Sequence, residues 1–449
     1  MKRLLPVVLL SALFVGPPAR AQPPGIDPVF PYAVEKTVLE NGLSVVSIPF
    51  DSPGIIAYYT VVRTGSRNEV EPGLSGFAHF FEHMMFRGTE KYPQEKYNNL
   101  LKSLGANSNA FTTDDWTCYH MTIPSSALPT AVAIEADRFR NLKYDEPDFQ
   151  KEARAVLGEY NKGASSPFLI LNEAMQDKAY TAHTYKHTTI GFLADVKDMP
   201  NQYAYSKTFF DRWYRPENCT IVVAGQVVHA DLVRLARQAY GGWERGKSSV
   251  KIPVEPPQEK GRSAELTWPS PTLPILYLGY HVPAADLSNR DTPALDALEQ
   301  VVFGETSLLY KALVLDEQKV VILSAESEHK RDPGLFQVLA RVRDPKDLNE
   351  VRTRIESALV QAAKEPVSER RLQMTKAHLR YAFANTLDSA DAVARAAGTS
   401  IAVTGRPDAM NDLFAAYEAL TPADLQRVAA RYFTATNQTA VILRSEASR

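Results

Sequence analysis

The chain has 449 residues, 50 Lys and Arg against 52 Asp and Glu, and is 45% hydrophobic. This is globular composition with length for two or more domains, and the slightly acidic balance offers no basic surface for nucleic acid.

Residues 1–21 stand apart. Lys2 and Arg3 precede an apolar run from Leu4 to Val15, and Ala19-Arg20-Ala21 is a small-residue cleavage pattern. The run is too short to span a bilayer and reads as a secretory signal peptide. No later run is apolar enough to cross a membrane, and no cysteine follows the signal for lipidation. The expectation is an exported protein, periplasmic in a Gram-negative source and otherwise secreted. Cys118 and Cys219 fall in apolar, strand-like runs, so buried unpaired thiols are expected, with a disulfide as the alternative.

Val38 to Pro49 and Ile55 to Thr64 read as two strands. Gly73 to Gly88 then reads as one short helix, with Ser75 as N-cap and Gly88 just past its end. It carries His79-Phe-Phe-Glu82-His83. On a helix His79 and His83 share a face at i and i+4, roughly 6 Å apart, within reach of one metal ion. Glu82 lies at the edge of that face. A bare histidine pair is often mere helix decoration, but this helix is strongly apolar, and two buried histidines and a carboxylate are costly without a partner. The arrangement is the inverted H-x-x-E-H motif.

Gln94 to Leu104 is a further helix. Gly105 to Thr112 changes to a strand period, and a polar turn at Thr113-Asp114-Asp115 returns the chain through Trp116 to Ile123 as a hairpin. Helices follow at Ser125 to Asn141 and from Asp145-Glu146-Pro147 to Asn161. The second carries Glu152 and Glu159, close to two turns apart and so on one face. His183 and His187 lie in a loop without period and read as structural or pocket-lining, since no acid or cysteine accompanies them at ligand spacing. His120 reads as a sheet histidine. Asn201 to Trp213 is helical and Asn218 to Ala224 a strand.

Gly241 to Arg262 is rich in Gly, Pro, Ser, Lys and Glu, which reads as an exposed linker between near-equal halves. Arg212-Trp-Tyr-x-x-x-Asn218-x-Thr220-x-Val222 recurs as Arg431-Tyr-Phe-x-x-x-Asn437-x-Thr439-x-Val441. A duplicated α+β unit is the reading: two homologous domains, each a mostly antiparallel sheet with helices packed on one face. The boundaries expected are 22–245, a linker at 246–262, and 263–449. Matching Phe303-Gly304 to the end of the histidine helix puts Leu295, Leu298 and Glu299 at its metal positions, so only the first copy would bind metal. A long helix from Ser368 to Ala397 carries His378, read as a surface residue.

A hydrolytic zinc site commonly has three protein ligands and an open position. His79 and His83 supply two, and the Pro147–Asn161 helix offers two acids for the third. Together, His79-Phe-Phe-Glu82-His83, Ser108-Asn109-Ala110-Phe111-Thr112 and Glu152 with Glu159 in Glu-x-x-x-Val-Leu-x-Glu resemble the pitrilysin family of zinc peptidases, which includes insulin-degrading enzyme and mitochondrial processing peptidase. The resemblance implies one Zn2+ per chain on His79, His83 and Glu159, Glu82 as general base, and Glu152 supporting the site without binding metal. It implies a metalloendopeptidase acting on peptides or unfolded segments. Asn107, Asn109, Ala110 and Phe111 would belong to the strand on which substrate is laid.

The family also uses an arginine and a tyrosine seven residues apart in a zinc-free half. Here those positions hold Val314 and Val321, which offer neither charge nor hydroxyl. That resembles the zinc-bearing subunit of two-subunit members, and implies a heterodimer with a homologous zinc-free chain, or failing that a homodimer. The alternatives are a non-catalytic scaffold or assembly protein keeping the fold, which would be expected to lose these residues, and an amidase or other metallohydrolase, against which the peptide strand argues.

Overall fold

Two apolar runs, Ile55–Val62 and Cys219–Gly225, form neighbouring central strands. A computed structural model describes residues 27–246, 250–286 and 290–446; the expected signal peptide lies outside them. Six strands make the first sheet: β1 (Glu35–Val38), β2 (Ser44–Pro49), β3 (Ile55–Val62), β4 (Asn107–Thr112), β5 (Thr117–Pro124) and β6 (Cys219–Gly225). Their order is β1-β2-β6-β3-β5-β4. The second sheet holds β7 (Arg262–Trp268), β8 (Ile275–His281), β9 (Val320–Ser327), β10 (Leu335–Val342) and β11 (Gln438–Ser445), in the order β7-β11-β8-β10-β9.

Apart from β1 the two orders match strand for strand. Each sheet has one parallel pair, β2 with β6 and β7 with β11, and is otherwise antiparallel. The repeated sequence also has one structural job in both copies. Asn218 Nδ2 donates to the Trp213 carbonyl at 2.9 Å, and Asn437 Nδ2 to the Tyr432 carbonyl at 2.8 Å. Each side chain satisfies an orphan carbonyl where a helix turns into a central strand.

Each half packs its own helices on one face of its sheet. In the first half these include α1 (Phe77–Met84), α2 (Gln94–Ser103), α3 (Leu128–Asn141) and α4 (Glu146–Gly163). The opposite faces are covered by exchange. The Ala390–Thr404 helix of the second half lies on β3 and β6, packing Val393, Ala394, Ala397 and Ile401 against Val46, Tyr59, Val61 and Val222. In return α5 (Pro167–Ala179) lies on the second sheet, packing Leu171 and Met175 against Tyr277, Val441 and Leu443. Burying a side chain such as Ile401 or Leu171 is worth about 1.5–3 kcal/mol. Small residues allow the approach: a Cβ on Gly398 would stand 3.4 Å from Val61.

The turn after β4 is bolted to the second half. Lys330, half-buried, donates to Asp114 and Glu328 at 2.7 Å each, and Arg67 and His183 both hold Asp332, at 2.5 and 2.9 Å. Cys118 and Cys219 are buried and free; their side chains join the cores on opposite faces of the sheet. Among the described residues no helix is long and apolar enough to cross a membrane.

Four expectations are corrected. Val38 to Pro49 is not one strand: Asn41-Gly42 turns the chain (Gly42 φ 93°) and splits it into the β1–β2 hairpin. The Ser368–Ala397 helix is two, Glu369–Ala384 and Ala390–Thr404, because the Ser389 hydroxyl accepts from Ala392 N and caps a new start. The α5 helix was not foreseen. The connecting segment is not a free linker either, since Glu255 accepts from the backbone N–H groups of Thr181, Ala182 and His183 at 2.8–3.0 Å. The exchanged helices predict that a protease site introduced at Lys251 and cut in the folded protein leaves both fragments co-eluting on size exclusion until urea is added. Separate elution in native buffer would contradict the exchange.

Candidate metal centre

The metal helix begins where the backbone can be turned sharply. Gly76, not Ser75, is its N-cap, with φ 93°; a Cβ there would meet the Ile190 carbonyl at 2.6 Å. The capping acceptor is Glu69, whose carboxylate accepts from Gly76 N and Ala78 N at 2.7 Å each. Burial pushes its pKa up to about 8, the two amide bonds opposing. Ser75 instead donates to Asp195 at 2.6 Å. The helix ends at Met84, one turn before Gly88, which has positive φ (91°) as a turn residue should.

His79 and His83 leave one face, ring centroids 4.8 Å apart. Both Nε2 atoms point at Glu159 of α4: Oε2 lies 3.7 Å from His79 and 3.3 Å from His83. The three donor atoms fall within 4.8 Å of one another. A tetrahedral zinc with bonds of ~2.0–2.1 Å separates its ligands by about 3.3 Å, so these residues fit the ion. Glu152, the other acid on α4, does not reach the cluster. It faces His83 Nδ1 at 2.9 Å and is gripped by Arg87 through Nε at 2.5 Å and through a second, shorter contact from Nη2. This is the usual way of fixing a ligand imidazole: the outer nitrogen donates to a carboxylate, leaving the other nitrogen free for metal. His79 Nδ1 has no such partner among the described residues.

The local field suits a cation. Burial and the neighbouring His83 pull the His79 pKa down to about 4, leaving its imidazole neutral and able to ligate near pH 7. Burial also opposes charge on His83, but the Glu152 bond, with Glu152, Glu159 and Glu82 as charges, outweighs it and raises the pKa. Glu152 is drawn the other way: burial is outweighed by His83 and Arg87, which keep it ionised. Glu82 is pushed up by burial, against the hydrogen bond it accepts from Thr112 Oγ1 at 2.6 Å. Three carboxylates, Glu82, Glu152 and Glu159, stand against one arginine around the two imidazoles, a charge that a divalent ion balances.

That Thr112 bond ties the helix to the end of β4. This strand pairs only with β5 and is the free edge of the sheet. Ala110 and Thr112 face the helix, and Ala110 is buried there. Phe111 points to the other face, against Trp116 and under the Arg395 guanidinium, and Asn107 and Asn109 are exposed on the edge strand.

His183 and His187 are buried in the 181–192 loop, away from the cluster. His183 Nδ1 accepts from Tyr185 N at 3.0 Å and its Nε2 faces Asp332, while His187 Nδ1 lies 3.0 Å from the Thr188 carbonyl. His120 stacks on Tyr59 in the sheet, and His378 is exposed. Val314 packs on the second core and Val321 is exposed on β9. Sequence reasoning missed Arg87 and Glu69. Arg87 follows His83 by four residues and so shares its face; Glu69 carried no local signal.

Two copied sheets with an inverted histidine-glutamate helix in one of them define the class of the insulinase-type metallopeptidases. The chain belongs to peptidase family M16: residues 56–191 match the family model described as "Insulinase (Peptidase family M16)", and residues 202–379 that of the "Peptidase M16 inactive domain". It is 27% identical to zinc protease PqqE of Helicobacter pylori, over 91% of this chain and 92% of that one. It is 29% identical to the beta subunit of the bovine mitochondrial-processing peptidase over 58% of this chain and 52% of that protein. The crystal structure of a protease from Helicobacter pylori superposes with TM-score 0.86 at 27% identity, covering 92% of this chain and 99% of that chain.

Glu152→Gln keeps the shape but removes the charge that orients His83, and is expected to weaken zinc binding about 10–100-fold. Competition with a chromogenic chelator measures it; an unchanged affinity would deny Glu152 this role.

Proposed function

We propose that this chain is an exported zinc metalloendopeptidase that hydrolyses peptides or unfolded segments. The observation that carries the reading is the convergence of His79, His83 and Glu159 beside Glu82, at the end of a free edge strand. When bound, zinc supplies the Lewis acidity that makes hydroxide available from water near neutral pH. The protein's own part is distributed over three elements, α1 with the turn after it, α4 and β4. Glu152 and Arg87 orient His83. An extended peptide adds to β4 through main-chain hydrogen bonds, with Ala110 beneath it and Asn107, Asn109 and Phe111 along the strand. Glu82, half-buried and raised in pKa, takes the proton from the attacking water and delivers it to the leaving amine. Membership of the family and the intact residue set support peptidase over scaffold.

The residues that would steady the carbonyl oxygen in the transition state are not matched in the second half, where Val314 and Val321 stand at the expected positions. A homologous, zinc-free partner chain supplying an arginine and a tyrosine completes the site in this reading, with a homodimer as the lesser form. The apolar run and Ala19-Arg20-Ala21 pattern support export.

Glu82→Gln is expected to retain about one zinc per chain by elemental analysis while losing nearly all turnover of a mixed peptide library read by mass spectrometry. His83→Ala should lose the metal itself. Peptide cleavage surviving Glu82→Gln would sink the assignment. Adding the partner should raise kcat/KM by about 100-fold, the scale of removing an oxyanion contact; full activity of the lone chain would remove the need for one.

A further inference from the structure

The exchanged Ala390–Thr404 helix does more than cover a sheet. Ala390, Val393, Ala394, Ala397 and Ile401 face the sheet. Its other side, including Ala392, Ala396 and Val403, lines a cavity of about 770 Å³ shared with the Glu369–Ala384 and Ala409–Glu418 helices. The walls are mainly apolar, with Leu379, Phe383, Met410 and Phe414 among them, and the volume is that of a ligand pocket.

One residue joins this cavity to the peptide strand. Arg395 lines the cavity, and its guanidinium carbon lies 5.2 Å from the centroid of the Phe111 ring on β4. Arg395 is exposed, and among the described residues no carboxylate forms an ion pair with it. Its neighbour Asp391 is committed elsewhere: it accepts from Tyr59 at 3.0 Å and Thr122 at 3.4 Å, and lies 3.8 Å from His120. A peptide extending the sheet beside β4 alternates its side chains between the faces. One set faces the metal helix with Ala110 and Thr112. The other set lies on the Phe111 face, where Arg395 stands between β4 and the cavity.

We propose that this cavity is a side-chain subsite for the peptide on β4, taking a bulky aromatic or aliphatic residue, with Arg395 at its rim pairing a carboxylate on a neighbouring substrate residue. The inference rests on the peptide-strand reading above and adds a substrate class: segments that place a large apolar residue beside an acid. Burying such a side chain against the helices removes apolar surface of both from water, and the Arg395 pair sets the register.

The test separates binding from cleavage. Fluorescein-labelled dodecapeptides of Gly, Ser and Ala carry Phe or Ala at one position and Glu or Gln beside it. Their affinities for the zinc-loaded, full-length Glu82→Gln chain are read by anisotropy. The Phe peptide should bind at least about tenfold tighter than the Ala peptide. Ala382→Trp and Thr399→Trp, at exposed positions on facing cavity walls, should each bring that ratio to within about twofold. Arg395→Gln should abolish the preference for Glu over Gln. A ratio that survives both fillings, or no Phe preference, overturns the subsite. If the preference is found while the chain with Glu82 intact cleaves no peptide, the subsite stands and the peptidase reading falls. Cleavage with a preference untouched by the fillings has the opposite meaning.

Discussion

The central strands of both sheets, β3 and β6 in the first and β8 and β11 in the second, are buried on both faces, and each half leaves its second face to be covered by the other. Every residue of β6, and all but the first of β3, is buried, so each needs a helix on either side. The half that owns the strands supplies one layer and the other half supplies the second. This exchange fixes the halves relative to one another and puts the Ala390–Thr404 helix beneath β3 and β6, with Arg395 reaching Phe111 of β4. The edge strand is backed on that side without being paired on its open side. An unpaired edge is ordinarily an aggregation hazard; here a short strand, two exposed asparagines and the nearby helix leave it open to an extended chain.

The metal cluster depends on that frame through charge as much as through position. Glu69, Glu82 and Glu152 are each held by a specific donor: the α1 amides, the Thr112 hydroxyl, and Arg87 with His83. Removing a donor from a buried carboxylate leaves a desolvated charge that costs more than the lost bond. Beside His79 and His83, Glu82 and Glu152 each have their own partner, while Glu159, half-exposed, stays free to meet a cation.

The candidate site was largely legible from sequence because its parts are local. Three spacings (four residues on α1, seven on α4, and a six-residue strand) each follow from the period of one element. What sequence could not carry is contact across long separations. Glu69 reaches the helix from a loop, Glu255 holds a turn more than seventy residues earlier, and Arg395 meets Phe111 from the other half. A strand buried on both sides has no polar period, so Ile55 to Thr64 reads as a strand without showing that a helix from the other half covers it. The break at Ser389 had a signal in Asp388-Ser389, but it lay between two runs of helix formers that together read as one.

The second copy keeps the helix and its tether without the ligands. Its counterpart of the metal helix runs from Asp291 to Leu298 and then widens into a π turn over Glu299–Phe303. The positions matching the two histidines, Leu295 and Glu299, still stand one α-turn apart, since Glu299 N donates to the Leu295 carbonyl; the π turn lies beyond them. Glu299, at the position matching His83, accepts from Ser327 N on β9 at 3.1 Å. The first copy links the same two elements through Glu82 and Thr112. Both copies therefore keep a glutamate joining helix to edge strand, and only one carries two histidines beside it. The tether belongs to the fold; the candidate metal cluster requires the ligand side chains as well.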